Sequence, residues 1–383
     1  MSKIIEPRPY QGRIVEGTIN GFLHENHKRI IVESPTGSGK TVMALMAAKA
    51  LQDLIGELKV GWVYKREPLK HQVLAENENI NVANLMPFSM FDNNPPHEID
   101  LLVVDECHND STDTMNFIHD TVDPKYVLGL SATPFRRDKA RLHYSKTLKE
   151  AGYCSLIRQG YLASYRHYLM DDYKEETVAQ TYIRYKDSFG KTVMFFLNSD
   201  QMFEVQRQLV ANGIHAETVH SSMSKREVNG TILRFHNNEF PVLLNLFILT
   251  EGFDCPDLQT VFVRDVLRQT KGAQVQMAGR VLRPYKVNGT PMIKNIVQSK
   301  MSGVKFDATA APCEQFIWND DDWRKIELKP EAVVNKTKEV RAKRLEMILK
   351  GQLPDMPKYL LDKQLKMKKD IRVIQQDRID RRN

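Results

Sequence analysis

Apolar residues fall in short blocks separated by polar stretches of helical spacing. Residues 29–33 carry Ile-Ile-Val and predict a buried strand. Next come Ser34-Pro-Thr-Gly-Ser-Gly-Lys-Thr41 and an Ala-, Met- and Leu-rich stretch, 42–51, that predicts a helix. Further runs at 60–64, 99–104 and 127–130 are mostly apolar and bounded by polar or turn residues, the pattern of parallel strands covered on both faces. The pattern restarts at 192–197 and continues at 216–219, 241–244 and 260–263, with helix-compatible spacers such as 201–212. Two successive α/β units are therefore expected. The break between them is placed near residues 160–172, after a predicted helix over 144–159 and before a polar helix over 173–189. Residues from 300 to about 330 read as irregular, and the remainder as helical, with heptad-like hints at Leu345, Ile348 and Leu349. Nothing repeats at solenoid periods.

Composition narrows the class. A chain of 383 residues with 42% apolar and 27% charged residues has room for two cores and excludes wholesale disorder or a fibrous architecture. The longest apolar run, 242–249, is interrupted by Asn245 and is well short of the ~20 residues a membrane span needs, so no membrane partner is expected. The opening Met-Ser-Lys-Ile-Ile-Glu-Pro lacks the apolar segment of a secretory signal. Cys107, Cys154, Cys255 and Cys313 are widely spaced with no C-x-x-C pair, which argues against a zinc knuckle or a disulfide scaffold and fits a reducing cytoplasm. The net charge of +7 sits in the tail: residues 331–383 hold 15 Lys and Arg against 8 Asp and Glu. The rest is balanced. A basic tail, with Lys363, Lys366, Lys368, Lys369 and Arg372 as a possible stripe, points to a polyanionic partner or to a solvated helix.

The glycine loop between predicted strand and helix matches a P-loop with Ser34 in place of its first glycine. Gly37, Ser38 and Gly39 would let backbone N–H groups close around phosphate oxygens, Lys40 would reach the β- and γ-phosphates, and Thr41 would offer a magnesium ligand. After the run at 99–104 come Asp105-Glu106-Cys107-His108, two carboxylates at the C-terminal edge of a strand, where open α/β sheets bind ligands. Asp105 suits a water-bridged magnesium ion, and Glu106 suits the general base that polarises the attacking water.

With those elements in place, residues 8–283 resemble a superfamily 2 helicase or translocase of the DExH type. Arg8-Pro-Tyr-Gln11 resembles the adenine-reading element, which implies a base contact by Gln11 supported by Arg8. The segment 63–72 resembles motif Ia and implies strand-phosphate contacts by Lys65 and Arg66. Leu128-Gly-Leu-Ser-Ala-Thr-Pro134 resembles motif III, which implies that Ser131 and Thr133, together with His108, couple the ATP site to the second lobe. Thr250-Glu-Gly-Phe-Asp254 resembles motif V, implying a strand-phosphate contact by Thr250 and a ribose contact by Asp254. Gln276-Met-Ala-Gly-Arg280-Val-Leu-Arg283 resembles motif VI. Its Gln276, Arg280 and Arg283 join the catalytic set, the two arginines on one helical face and Arg283 as the arginine finger.

The resemblance implies an α/β fold of two tandem RecA-like domains, 1–165 and 166–300, each a mostly parallel sheet covered by helices, and a basic helical C-terminal extension over 301–383. It implies ATP and Mg2+ as cofactors. The Asp-Glu-Cys-His string departs from the DEAD-box signature, and the overall pattern is closer to bacterial and phage DNA repair and branch-migration translocases, or to the motor part of restriction enzymes, than to RNA unwinders. The leading expectation is an ATP-dependent helicase or translocase acting on duplex or branched DNA in replication, recombination or repair, in a bacterial or phage-infected cytoplasm. An RNA-stimulated ATPase and a nonenzymatic ATP-switched clamp are the alternatives, and the oligomeric state is open, with a monomer compatible.

Overall fold

The computed structural model describes residues 6–110, 112–134, 142–246, 248–249, 253–264, 276–301, 312–319 and 322–326. Thr250, the basic tail and its heptad hints lie outside the described residues. Residues 1–326 form one compact unit, built on two sheets.

The first sheet contains β1 (Arg29–Glu33), β2 (Val60–Tyr64), β3 (Leu85–Ser89), β4 (Leu101–Val104), β5 (Tyr126–Ser131) and β6 (Lys146–Leu148) in the order β3-β2-β4-β5-β1-β6, all parallel. Every residue of β2, β4 and β5 is buried, as expected of strands covered on both faces. The covering helices are α1 (Pro9–Leu23), α2 (Lys40–Ile55), α3 (Glu67–Ile80) and α4 (Asp113–Val122). Because β4, β5 and β1 are adjacent, with Val104 opposite Gly129 and Glu33 opposite Ser131, the loops leaving them emerge side by side at one edge. That adjacency builds the site.

After α5 (Tyr153–Arg158) the second sheet begins with β7 (Tyr165–Met170) and takes in β8 (Thr192–Phe196), β9 (Ala216–Val219), β10 (Val242–Leu246), β11 (Thr260–Val263), β14 (Lys294–Ser299), β15 (Glu314–Asn319) and β16 (Asp322–Ile326). The order is β16-β15-β7-β14-β11-β8-β10-β9, parallel except for the β15–β16 hairpin. It is flanked by α6 (Glu175–Phe189), α7 (Ser199–Ala211) and α8 (Lys225–His236), and β12 (Lys286–Val287) pairs with β13 (Thr290–Pro291) in a separate hairpin.

Two local expectations are corrected, and one strand is added. The helix expected over 144–159 is instead the edge strand β6 followed by the short α5. Within the window 160–172 placed for the break lies a strand that the pattern does not predict, β7, which opens the second sheet; its Tyr-Arg-His-Tyr-Leu-Met sequence mixes polar residues into a mostly buried strand. The region read as irregular to about residue 330 contributes β15 and β16: Phe316 stacks on Tyr168 at 4.8 Å, and Trp323 packs edge-on to the same ring at 5.0 Å. Among the described residues no helix is long and apolar enough to cross a membrane, and the four cysteines are free thiols.

Candidate active site

The P-loop leaves β1 at Ser34 and feeds α2 at Lys40. Gly37 and Gly39 both have φ +83°, and a Cβ on Gly39 would stand 2.6 Å from Gln11 Nε2, so the loop closes only with glycine there. Inside it Ser34 Oγ donates to Ser38 Oγ at 2.7 Å, and Lys40 Nζ donates to the Ser34 carbonyl at 3.4 Å. Gln11 is buried: its Oε1 accepts from Arg8 N–H at 2.9 Å and its Nε2 donates to the Ser38 carbonyl at 3.1 Å. The Tyr10 hydroxyl donates to that same carbonyl, and the Arg8 guanidinium lies over the Tyr161 ring, 4.7 Å from its centroid. The segment expected to read a base therefore also braces the phosphate loop.

Beside the P-loop, Asp105 and Glu106 follow β4. Glu106 turns the chain with φ 50°, ψ 50°, a left-handed conformation uncommon for non-glycine residues, and its N–H donates to Asp105 Oδ1 at 2.9 Å. His108 Nδ1 lies 3.3 Å from Glu106 Oε2 and 3.4 Å from Ser131 Oγ, and Ser131 Oγ accepts from Thr133 N–H at 3.0 Å. Burial opposes ionisation of Glu106, but the His108 hydrogen bond and the nearby charges of Lys40, His108 and Arg280 outweigh it and hold the carboxyl well below the usual carboxylate range. Glu106 is thus a carboxylate at neutral pH. No group of three or more His, Cys, Asp or Glu forms a metal site among the described residues. Thr41, in the first turn of α2, and Asp105 offer hard oxygen ligands, a set that suits a magnesium ion completed by phosphates and water.

The second half of the chain closes this edge. Gln276 Nε2 lies 3.5 Å from Glu106 Oε2, and Ala163 N–H donates to the Leu282 carbonyl at 2.9 Å. Arg280 and Arg283 lie just past the described helical turn, and both reach toward the adjacent residues Phe253 and Asp254. The described helical turn ends at Gly279, and the bonds from Arg280, Val281 and Leu282 N–H to the carbonyls three residues back tighten the chain beyond it. Arg280 Nη1 consequently donates to the Phe253 carbonyl at 3.1 Å, and Arg283 Nε pairs with Asp254 Oδ1 at 2.9 Å. Arg283 still borders the P-loop, its Cδ 3.9 Å from where a Gly37 Cβ would stand. Arg66 Nη1 donates to the Ile248 carbonyl at 2.9 Å, two residues before Thr250, so this expected strand contact also ties the two sheets' loops together. Lys65 is partly buried next to it, at the end of β2.

Sequence reasoning missed Tyr153 and Tyr161, which carry no motif signature. Tyr153 is buried, and its hydroxyl accepts from the Thr36 N–H of the P-loop at 3.4 Å; burial is the main cause pushing this phenol up to about 12.

A Cβ on Gly279 would stand 2.7 Å from Thr36 Cβ. Gly279→Val is expected to prop the cleft open and lower ATP turnover by about 10²-fold, the scale of a misplaced reacting geometry. Steady-state phosphate release checks this, and turnover near the original rate would show that the cleft need not close this far.

Two family descriptions match. "Helicase conserved C-terminal domain" covers residues 173–285, and "Type III restriction enzyme, res subunit" covers 4–86 and 75–136. Among curated relatives, a putative ATP-dependent helicase, IRC3, of Saccharomyces cerevisiae is 25% identical over 82% of this chain and 54% of its own length. Its Schizosaccharomyces pombe counterpart, a putative mitochondrial ATP-dependent helicase, is 24% identical over 73% and 55%. A 51.5 kDa Lactococcus phage protein is 23% identical over 59% and 57%. The chain thus spans about half the length of these relatives. Among solved structures, the Type ISP restriction-modification enzyme LlaBIII bound to DNA superposes with TM-score 0.58 at 17% identity, covering 79% of this chain and 28% of that one. Dbp5 of S. cerevisiae bound to RNA and ADP BeF3 superposes with TM-score 0.59 at 15% identity, covering 83% and 91%. The fold is that of two tandem RecA-like domains.

Proposed function

We propose that this chain, whose matches and fold support a superfamily 2 helicase, is the motor core of an ATP-dependent translocase or helicase acting on duplex or branched DNA. The observation that carries this reading is the composite cleft, in which Gln276 reaches Glu106 and Gly279 and Arg283 abut the P-loop. ATP fits there with its phosphates against the P-loop N–H groups and Lys40, and with Arg8, Gln11 and Asp254 toward the nucleoside. Thr41 and Asp105 would hold magnesium, which neutralises phosphate charge when bound. Glu106 accepts the proton of the attacking water, held in place by His108 and Gln276. Arg280 and Arg283 approach the γ-phosphate from the second domain, so hydrolysis removes the ligand that bridges the lobes, and the cleft opens. Ser131 and Thr133 sit where that change reaches the first domain, while Lys65, Arg66 and Thr250 hold the strand.

In this reading residues 1–165 are the first domain, and the second runs from 166 and takes in β15 and β16. The basic segment from 331 adds phosphate contacts. The restriction-type family match favours DNA as the polymer, while the structural neighbours include both DNA-bound and RNA-bound proteins.

ATP turnover measured with single-stranded, duplex and forked DNA and with RNA tests the assignment. Stimulation strongest on duplex or forked DNA is expected; stimulation by RNA alone overturns the choice of polymer. Lys40→Ala should abolish most turnover in a folded protein, because the lost ammonium is a phosphate contact and not part of a core. An unchanged rate in that variant would reject the P-loop assignment.

A further inference from the structure

Just beyond Asp105–His108 lies a buried polar group that no motif covers. Asp110, 8% exposed, follows the 3-10 turn Cys107–Asn109 and closes it through its N–H to the Cys107 carbonyl at 2.9 Å. Its carboxylate is held at both oxygens: His119 of α4 donates from Nε2 to Oδ1 at 2.6 Å, and the Tyr144 hydroxyl donates to Oδ2 at 2.6 Å. His119 Nδ1 is buried with no hydrogen-bond partner among the described residues, so the ring's polar contact is the one to Asp110. The Tyr144 ring lies directly on β5, where a Cβ on Gly129 would stand 2.8 Å from its Cε1, Cζ and hydroxyl atoms.

These contacts close a ring through the site. From Tyr144 the path runs to Gly129, along β5 to Ser131, across to His108 at 3.4 Å, and back through the 3-10 turn to Asp110. Cys107, fully buried in the apolar cluster with Ile31, Val104 and Met115, pins the turn from inside. A buried carboxylate with two short hydrogen bonds is costly to build, and these bonds fix the orientation of the turn that carries His108 and follows Glu106.

We propose that Asp110, Tyr144 and His119 are positioning residues for ATP hydrolysis. They set where His108, and through it the Glu106 carboxylate, stands relative to the attacking water, and they join that placement to β5 and Ser131. The inference rests on the ATPase reading above. Their hydrogen bonds run to one another and Tyr144 packs on β5, so they are expected to act on the chemical step and not on nucleotide affinity.

The test is steady-state ATP turnover of the full chain with duplex DNA for Tyr144→Phe, Asp110→Asn, His119→Ala and His119→Gln, with melting temperatures and with Lys40→Ala as reference. Tyr144→Phe keeps the ring and loses one donor; its kcat should fall about tenfold, with KM for ATP within about twofold of the original. His119→Gln retains a donor for Asp110 and should recover most of the kcat that His119→Ala loses. An unchanged kcat in Tyr144→Phe and Asp110→Asn, with Lys40→Ala inactive, overturns the positioning role and leaves the ATPase reading standing. So does a loss in every variant that follows the unfolded fraction, with Gln no better than Ala at 119. A Lys40→Ala protein as active as the original overturns the ATPase reading, and this inference with it.

Discussion

Glu106→Gln is expected to bind ATP within a few-fold of the original affinity and to hydrolyse it about 10³-fold more slowly. The substitution keeps the shape of the side chain and removes the proton acceptor. In the proposed reading the ground-state contacts with the phosphates come from the P-loop N–H groups and Lys40, which the change leaves in place. The carboxylate is already ionised at neutral pH, held so by His108 and by the charges of Lys40 and Arg280. Replacing it removes a charge around which those three groups are arranged, and a water in its reach loses its acceptor. A fluorescent nucleotide titration and a single-turnover measurement separate the two effects. Loss of binding together with turnover would mean that Glu106 shapes the cleft through its left-handed turn and is not the base.

Arg283→Ala should slow hydrolysis by at least about 10³-fold, again with binding retained, because a finger from the facing domain acts mainly on charge that develops in the transition state. In the structure its Nε pairs with Asp254, and both side chains are partly solvent-exposed, so the pair is weak and the guanidinium has donors left for a phosphate. Arg283→Lys should recover little, since a lysine cannot hold Asp254 and a phosphate oxygen at once with the same planar fork. Phosphate release by residues 1–165 alone at the rate of the whole chain would show that no residue of the second domain is needed.

Much of this was legible in the sequence because the signals are local. The strand, glycine loop and helix at 29–55 depend on neighbouring residues: an apolar run, two glycines able to take positive φ, and a helix-forming stretch. The strands at 60–64 and 260–263 show their burial as uninterrupted or nearly uninterrupted apolar or β-branched residues. The same locality explains why the order of motifs alone pointed to a two-domain nucleotide cleft.

The rest required tertiary contacts. Strands β6, β15 and β16 are short or only partly buried, so their polar residues hide the period, and β7 becomes a strand because β14 and β15 pair with its two edges from more than 120 residues away. No local pattern tells that the Gln11 amide reaches the Ser38 carbonyl, that Tyr153 caps a P-loop N–H, or that Tyr144 lies on Gly129 and holds Asp110. The arginines at 280 and 283 stand three residues apart in the sequence, and only the fold shows that they reach the adjacent residues Phe253 and Asp254. The sequence by itself determined which chemical groups are present and on which local elements they stand. Their partners were decided only by packing, because each contact joins groups that the chain brings together solely by burying its two sheets.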